Sequence, residues 1–289
     1  MIGSSPAVVL WVFTEHRNAT FLLNFELPLR GACLRGEVVL KSWSSDEIDG
    51  MGRYELMGRI SALASKQRPT LIVFSRYVQP HAIALMDWAS AQGIPHHFHL
   101  DDMLDRLPDD IGATYTATYS ADFVRNMHAC LAGANTLLAS TQVLACHLAA
   151  AYPGKPVRTL KGVCYLPIAG WGPASVRANL ARTKRRFLRR RWLTVGYTGS
   201  SSHRRDLEPV VPELMKLMYR HENVRFETLG LPLPAELARR FPDRVAQFGY
   251  TRDYRAFLRT LYELGWDLGI APLVDDNFNR AKTATKFVE

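Results

Sequence analysis

Apolar runs separated by amphipathic segments recur along the first part of the chain. Residues 7–13 (AVVLWVF) are wholly apolar, as are strands that are buried on both faces of a parallel sheet. Further strands are predicted over 70–74, 95–100, 136–139 and 158–163. Helices are predicted over 61–68, 80–91 and 120–132, with Ser120 as the N-cap of the last and Thr141 opening another. This alternation predicts a doubly wound α/β sheet.

The same alternation starts again at residue 193. Strands are predicted over 193–197, 224–229, 245–248 and 266–271. Helices are predicted over 207–220, 234–241 and 254–264. We therefore expect two tandem Rossmann-like domains, with an N-terminal domain over 1–166, a basic linker over 167–192 and a C-terminal domain over 193–289.

Composition agrees with a two-domain globular protein. The 289 residues are 47% hydrophobic and 22% charged, and no apolar run approaches the roughly 20 residues of a membrane span. The N-terminus lacks the basic region and cleavage site of a signal peptide, so its apolar run is interpreted as a strand. The four cysteines have no CxxC spacing. Reduced thiols and a cytoplasmic location are expected, with no metal site and no cofactor.

The net charge of +9 is concentrated in one segment, 182–191 (RTKRRFLRRR), which contains no acidic residue. Its basic residues are Arg182, Lys184, Arg185, Arg186, Arg189, Arg190 and Arg191. Local basicity does not predict a general nucleic-acid-binding surface. Two interpretations remain open: a solvated helix between domains, or a helix that contacts an anionic membrane or an anionic substrate.

Two segments of the second domain have the composition of a phosphate site. Gly196 and Gly199 lie in VGYTGSSSHRRDL, between a strand and a helix, where small residues let a backbone approach an anion. The segment FNRAKTATKFVE, 278–289, carries Lys282 and Lys286 at helical i, i+4 spacing. Two lysines on one helix face suit a diphosphate, and the carboxylate of Glu289 suits ribose hydroxyls. The competing interpretations are that the glycines serve only the geometry of the turn, and that the charged residues of 278–289 form an ordinary helix surface.

A third candidate follows the strand 95–100. Asp101 and Asp102 come directly after it, where ligands bind in doubly wound sheets, and a pair of carboxylates can hold Mg²⁺. Contact with an acceptor or a helix cap is the favoured alternative. His97 and His99 share a strand face and form a nominal His/His/Asp cluster, although hydrogen-bonded strand histidines are the simpler interpretation.

These motifs together resemble a known family. YTGSSSHRRDL, DLGIAPL and FNRAKTATKFVE resemble the C-terminal half of GT-B glycosyltransferases of the retaining family-4 type, and HFHLDDMLDRLP resembles the N-terminal half. The resemblance covers about residues 70–289. It implies a donor-binding set that comprises Gly199, Ser200, His203, Asn279, Lys282, Lys286 and Glu289, and acceptor-side candidates Asp101 and Asp102.

The family pattern and this sequence differ in one place. Glutamates eight positions apart are frequent in the family, but Ala281 stands eight residues before Glu289. Asp206 matches a recurrent position without an assigned role. Relatives continue beyond this glutamate with further elements, so the resemblance predicts a C-terminally truncated chain and an incomplete second domain.

The resemblance implies transfer of a sugar from a nucleotide sugar to an acceptor hydroxyl, with retention and without a required metal. The expected partners are a nucleotide-sugar donor, a glycan or lipid-linked acceptor in polysaccharide biosynthesis and, through residues 182–191, the inner face of an anionic membrane. No nucleic acid is expected. The alternatives are an inactive nucleotide-binding protein and a metal-dependent phosphatase or hydrolase that uses Asp101 and Asp102. No catalytic residue is assigned.

Overall fold

The structure is a computed structural model that describes residues 7–160, 173–200, 203–251 and 253–288. The chain forms two compact units. The first comprises residues 1–107, 117–163 and 280–283, and the second comprises 108–116, 164–279 and 284–289. Glu289, Cys164 and residues 201–202 lie outside the described residues. None of the described helices has the length and hydropathy that crossing a bilayer requires.

The first unit is built on a parallel sheet of six strands in the order β2-β1-β3-β4-β5-β6. The strands are β1 (Val8–Thr14), β2 (Val38–Ser44), β3 (Leu71–Ser75), β4 (His96–Leu100), β5 (Thr136–Ala139) and β6 (Val157–Thr159). Trp11, Val12 and Phe13 of β1 are fully buried, which explains why this strand has no polar face.

Helices connect the strands of this sheet. They are α1 (Ala19–Phe21), which continues through a π-helical segment (Leu22–Glu26) into α2 (Leu27–Leu34), α3 (Ser45–Ile48), α4 (Arg53–Lys66), α5 (Ala82–Ala91), α7 (Ala121–Gly133) and α8 (Gln142–Ala151). The short helix α6 (Ala113–Thr118) spans the boundary of the two units in sequence. Ser120 and Thr141 cap α7 and α8 through their hydroxyls, as predicted.

The second unit has a parallel sheet of four strands in the order β10-β7-β8-β9. The strands are β7 (Leu193–Thr198), β8 (Val224–Leu229), β9 (Val245–Phe248) and β10 (Leu268–Ile270). Its helices are α9 (Pro173–Leu188), α10 (Arg204–Leu207), α11 (Val211–Arg220), α12 (Ala235–Arg240), α13 (Tyr254–Leu264), α14 (Asn277–Arg280) and α15 (Thr285–Val288), with 3-10 turns at Glu208–Val210 and Pro242–Arg244. Val195, Tyr197 and Phe226 form the centre of its core.

The predicted α/β class with two parallel sheets is confirmed, and the differences are local. β5, β8 and β9 have the predicted bounds, as does α13, which begins after the N-cap Asp253 and ends at Gly265, φ +60°. β2 was not predicted from the sequence. It lies at the edge of the sheet, and six of its seven residues are only partly buried, so its apolar pattern is weak. The part of the predicted strand 158–163 beyond residue 160 lies outside the described residues.

Each sheet reverses its strand order once. In the first unit, β2 lies on one side of β1 and β3 on the other, and in the second unit β10 and β8 flank β7 in the same way. The loops that leave the carboxyl ends of the strands diverge at such a switch point and leave a crevice where ligands bind in doubly wound sheets. The fold therefore gives each unit one preferred position for a site.

Candidate functional site

The loop after β7 lies at the switch point of the second sheet and turns tightly into α10. The backbone N–H of Gly199 donates to the carbonyl of Leu229 at 3.1 Å, and that of His203 donates to the carbonyl of Ser200 at 3.0 Å. A Cβ atom on Gly199 would lie 2.9 Å from Cβ of His203, closer than such atoms approach. Glycine is therefore required here by the close approach of His203.

Asp206 connects this loop to the segment after β10. Its side chain is 1% exposed. One carboxylate oxygen accepts from Nδ1 of His203 at 2.9 Å. The other accepts from Nδ2 of Asn279 at 2.7 Å and from the backbone N–H of Val274 at 3.1 Å. The two motifs singled out in the sequence thus meet through one buried carboxylate, and Asn279 serves as part of this support.

Lys286 lies beside the same loop. Its ammonium nitrogen is 3.5 Å from the hydroxyl of Tyr197 and 5.0 Å from the centre of that ring. Tyr197 is fully buried, and its hydroxyl donates to the carbonyl of His203 at 3.2 Å. Burial raises the pKa of Tyr197 well above its ordinary value, so the tyrosine stays neutral. The structure therefore brings Gly199, His203 and Lys286 together at the carboxyl end of β7.

Lys282 does not share a helix face with Lys286, and the sequence prediction of one continuous helix is wrong. α14 ends at Arg280 and α15 begins at Thr285, so Lys282 lies in the turn between them. Ala281 is fully buried, and its carbonyl accepts from the hydroxyl of Thr141 at 2.7 Å, which holds the turn in place. Lys282 belongs to the first unit.

The first unit contains a buried ionic cluster at the switch point of its own sheet. Glu15, Arg76 and Asp101 each follow directly after a strand, namely β1, β3 and β4. Arg76 donates from Nε to Glu15 at 3.1 Å and from Nη1 to Asp101 at 3.0 Å, and Nη1 is 3.6 Å from Asp102. Carboxyl ends of parallel strands share one edge, so three remote segments supply one ion network.

Neighbouring hydroxyl groups complete this cluster. Thr20 donates to the second oxygen of Asp101 at 2.6 Å, and Nη2 of Arg76 donates to the hydroxyl of Tyr119. Arg76 has φ +55°, the left-handed region that a residue with a side chain seldom adopts. Such conformations persist where the surroundings over-determine them, and they concentrate at functional sites.

The pKa values of the two aspartates in the cluster are shifted in opposite directions. Burial would raise the pKa of Asp101, but the Arg76 guanidinium, His99 and the hydrogen bonds from Thr20 and Arg76 together outweigh it and hold this pKa below its ordinary value. Burial and the charge of Asp101 raise the pKa of Asp102 to about 6, although Arg76 and Lys282 act against the shift. Asp102 is thus the carboxyl group in this cluster that changes protonation close to neutral pH.

We expect Asp102→Asn to remove a pH dependence of stability. The folded-state pKa of Asp102 is raised from 3.8 to about 6, so the native state binds the proton more tightly than the unfolded state. Protonation of Asp102 therefore stabilises the native chain at low pH, and this stabilisation is lost as pH rises through about 6. Urea unfolding should show the variant gaining about 1.4 kcal/mol relative to the native chain between pH 5 and pH 7.5. Parallel stability profiles would contradict the shift.

The strand histidines do not assemble the His/His/Asp cluster. His99 is fully buried, with Nδ1 3.0 Å from the hydroxyl of Ser75 and Nε2 3.1 Å from that of Ser140. Burial lowers its pKa to about 4, so it is neutral. Burial, together with His96 and Arg158, lowers the pKa of His97. Among the described residues, no group of three His, Cys, Asp or Glu side chains has a metal-holding arrangement.

Comparison with solved structures gives the class of this fold. A glycosyltransferase from Rickettsia africae matches with TM-score 0.56 and 10% identity, over 92% of this chain and 73% of that one. The HepE protein of Anabaena, solved with UDP and glucose, matches with TM-score 0.54 and 12% identity, over 91% and 73% of the chains. Sucrose-phosphate synthase from Thermosynechococcus elongatus matches with TM-score 0.53 and 12% identity, over 93% and 77%.

The chain has a GT-B fold. This confirms the fold that the sequence motifs implied. No protein-family model matches the sequence, and no curated protein matches it. At identities of 10–12%, these matches establish the fold, whereas an activity has to be argued from the residues of the site.

Sequence reasoning missed two residues of the first unit of this GT-B fold. Glu15 and Arg76 were not singled out, although each is a charged residue directly after a buried strand, in VFTE and VFSR. HLDD, which leads to Asp101, shows the same pattern and was recognised. Comparison of all strand ends would have found the other two residues, because polar residues at the carboxyl edge of a parallel sheet converge.

Proposed function

We propose that this chain transfers a sugar from a nucleotide-sugar donor to an acceptor hydroxyl, with retention of anomeric configuration and without a required metal ion. The observation that carries the proposal is the site at the carboxyl end of β7. There the backbone of Gly199 and the ammonium group of Lys286 lie at the switch point of the second sheet. UDP is present in the structure of HepE, which has the same fold.

In the proposed reaction the acceptor oxygen bonds to the anomeric carbon, and the bond from that carbon to the diphosphate breaks. The acceptor proton is released and the nucleoside diphosphate departs with additional negative charge. We assign Lys286 to neutralise that charge, and the backbone of Gly199 and Ser200 to accommodate the diphosphate. Glu289, the proposed partner of the ribose hydroxyls, lies outside the described residues.

For the acceptor side we favour Asp102 over Asp101. Both oxygens of Asp101 already accept hydrogen bonds, from Thr20 and from Arg76. Asp102 lies 3.6 Å from Arg76, a longer contact than that of Asp101, and its side chain is 21% exposed. An ionised or protonated Asp102 can bind a sugar hydroxyl. The glycan or lipid-linked nature of the acceptor and a role in polysaccharide assembly belong to the same proposal.

A metal-dependent phosphatase that uses Asp101 and Asp102 is disfavoured. The Arg76 guanidinium lies 3.0 Å from Asp101 and 3.6 Å from Asp102, so it supplies the positive charge that a divalent cation would bring. A metal ion bound there would have to displace Arg76, which also donates to Glu15 at 3.1 Å.

Calorimetric titration with UDP and GDP, with and without EDTA, tests the donor site. We expect EDTA-insensitive binding of one nucleotide, weakened about tenfold by Lys286→Ala, because a charge-assisted contact to phosphate is lost. Lys216→Ala is the matched control, since Lys216 is exposed on α11 and pairs with Glu213 at 2.7 Å. Equal effects of the two variants would remove Lys286 from the site.

Product analysis separates an enzyme from an inactive nucleotide-binding protein. Incubation with a UDP-sugar or GDP-sugar and a panel of acceptors should release the free nucleoside diphosphate. Nucleotide binding without such release would support the inactive alternative. Loss of activity with EDTA would contradict the metal-independent mechanism.

A further inference from the structure

Helix α9 carries an apolar stripe on its solvent side. Val176, Leu180 and Phe187 are 56%, 65% and 67% exposed. They are separated by four and seven residues, a spacing that places them on one face of a helix. Single exposed apolar residues are common, but several on one helix face indicate a surface that binds a partner. We call these three residues the apolar stripe.

The opposite face of α9 is attached to its own unit, which fixes the orientation of the stripe. Ala178 is buried, and the guanidinium of Arg182 lies 4.6 Å from the centre of the Tyr262 ring. Arg185 pairs at 3.3 Å with the fully buried Glu227. Arg189 pairs with the same carboxylate, and Arg186 lies 3.6 Å from Asp267.

Four of the seven basic residues in 182–191 therefore contact their own unit. The other three basic residues of this segment are exposed, and so is Arg177 of α9. We call these four residues the basic rim: Arg177, Lys184, Arg190 and Arg191. Arg190 extends over the Phe187 ring at 5.3 Å, so rim and stripe are adjacent. α9 contains no acidic residue.

We propose that α9 is a peripheral membrane-binding helix for a bilayer that contains anionic lipids. The apolar stripe enters the boundary between head groups and acyl chains, and the basic rim contacts the lipid phosphates. An apolar line flanked by Lys and Arg is the pattern of helices that lie in the plane of a membrane interface. Charge complementarity selects an anionic bilayer as the partner. The inference rests on α9 and the turn that follows it, and it does not depend on the proposed glycosyl transfer.

Co-sedimentation of the full chain with vesicles tests this proposal. Vesicles of phosphatidylcholine with about 30% phosphatidylglycerol are compared with vesicles of phosphatidylcholine alone. We expect binding to the anionic vesicles, with weaker binding as salt concentration rises. Phe187→Ser and Leu180→Ser should each lower the partition coefficient about tenfold, and Lys184→Gln about fivefold.

The controls are residues of the same types that are exposed elsewhere. Tyr54→Ser and Leu34→Ser replace side chains that are 94% and 80% exposed in the first unit, and Lys66→Gln removes an exposed charge from α4. None of them should change vesicle binding by more than about twofold. Nucleotide titration of Phe187→Ser should match that of the native chain, so that failure of this inference and failure of the donor site are separable.

Three results would overturn the inference. Equal binding to neutral and anionic vesicles would remove the role of the basic rim. Binding that the α9 variants leave unchanged would place the contact elsewhere. A concentration-dependent dimer that Phe187→Ser abolishes, in a chain that does not bind vesicles, would show that the stripe contacts a second copy of this chain.

Discussion

Replacing Arg76 by methionine is expected to lower the free energy of unfolding of the first unit by about 3–5 kcal/mol. Methionine keeps much of the aliphatic volume but removes the charge that lies between Glu15, Asp101 and Asp102. Buried carboxylates would then face one another without a cation. Urea unfolding, followed by fluorescence, measures the loss.

The loss in Arg76→Met should depend on pH in a definite direction. Without Arg76 the pKa values of the buried carboxyl groups rise, because their charged forms lose their partner. The variant therefore recovers stability as pH falls and the carboxyl groups bind protons. Arg17→Met is the control, since Arg17 pairs with Glu47 at 2.9 Å on the surface, where such pairs contribute at most about 1 kcal/mol. Equal, pH-independent losses in both variants would show that the cluster has no special role.

Replacing Asp206 by alanine is expected to destabilise the second unit by about 3–4 kcal/mol. The buried carboxylate accepts from His203, Asn279 and the backbone of Val274, and alanine would leave these donors unsatisfied. Nucleotide affinity should fall as well, because the loop after β7 and the segment that leads to Lys286 lose their common attachment. Urea unfolding and calorimetric titration measure the two effects.

Two further variants determine how Asp206 acts. Asp206→Asn keeps one oxygen acceptor for Asn279 and Val274 and loses the charge beside His203, so we expect a smaller destabilisation of about 1–2 kcal/mol. Asp243→Ala removes an exposed aspartate of the same unit and should change stability by less than about 0.5 kcal/mol. A result for Asp206→Ala as small as that for Asp243→Ala would mean that the two motifs are held together by other contacts.

The sequence by itself determined the class of the fold and most of its strands. Runs such as VVLWVF and LIVF are apolar because both faces of a parallel strand are buried, a requirement that is local to the strand. The caps at Ser120, Thr141 and Asp253 bind backbone N–H groups only two or three residues away, so they too can be identified from the sequence. The motifs around Gly199 and Lys286 were likewise identified in this way.

Tertiary structure alone decided which polar residues meet. Glu15 and Arg76 are 61 residues apart, and Asp206 and Asn279 are 73 apart, so neither pair leaves a periodic signal. The turn that separates Lys282 from Lys286 depends on Thr141, which is 140 residues from its partner Ala281. In the same way, contacts of four arginines of 182–189 with Tyr262, Glu227 and Asp267 fix the orientation of α9 and leave the apolar stripe outside. Spacing along a chain reports which residues share a face of one element, whereas the contacts of that face depend on how the sheet brings remote elements together.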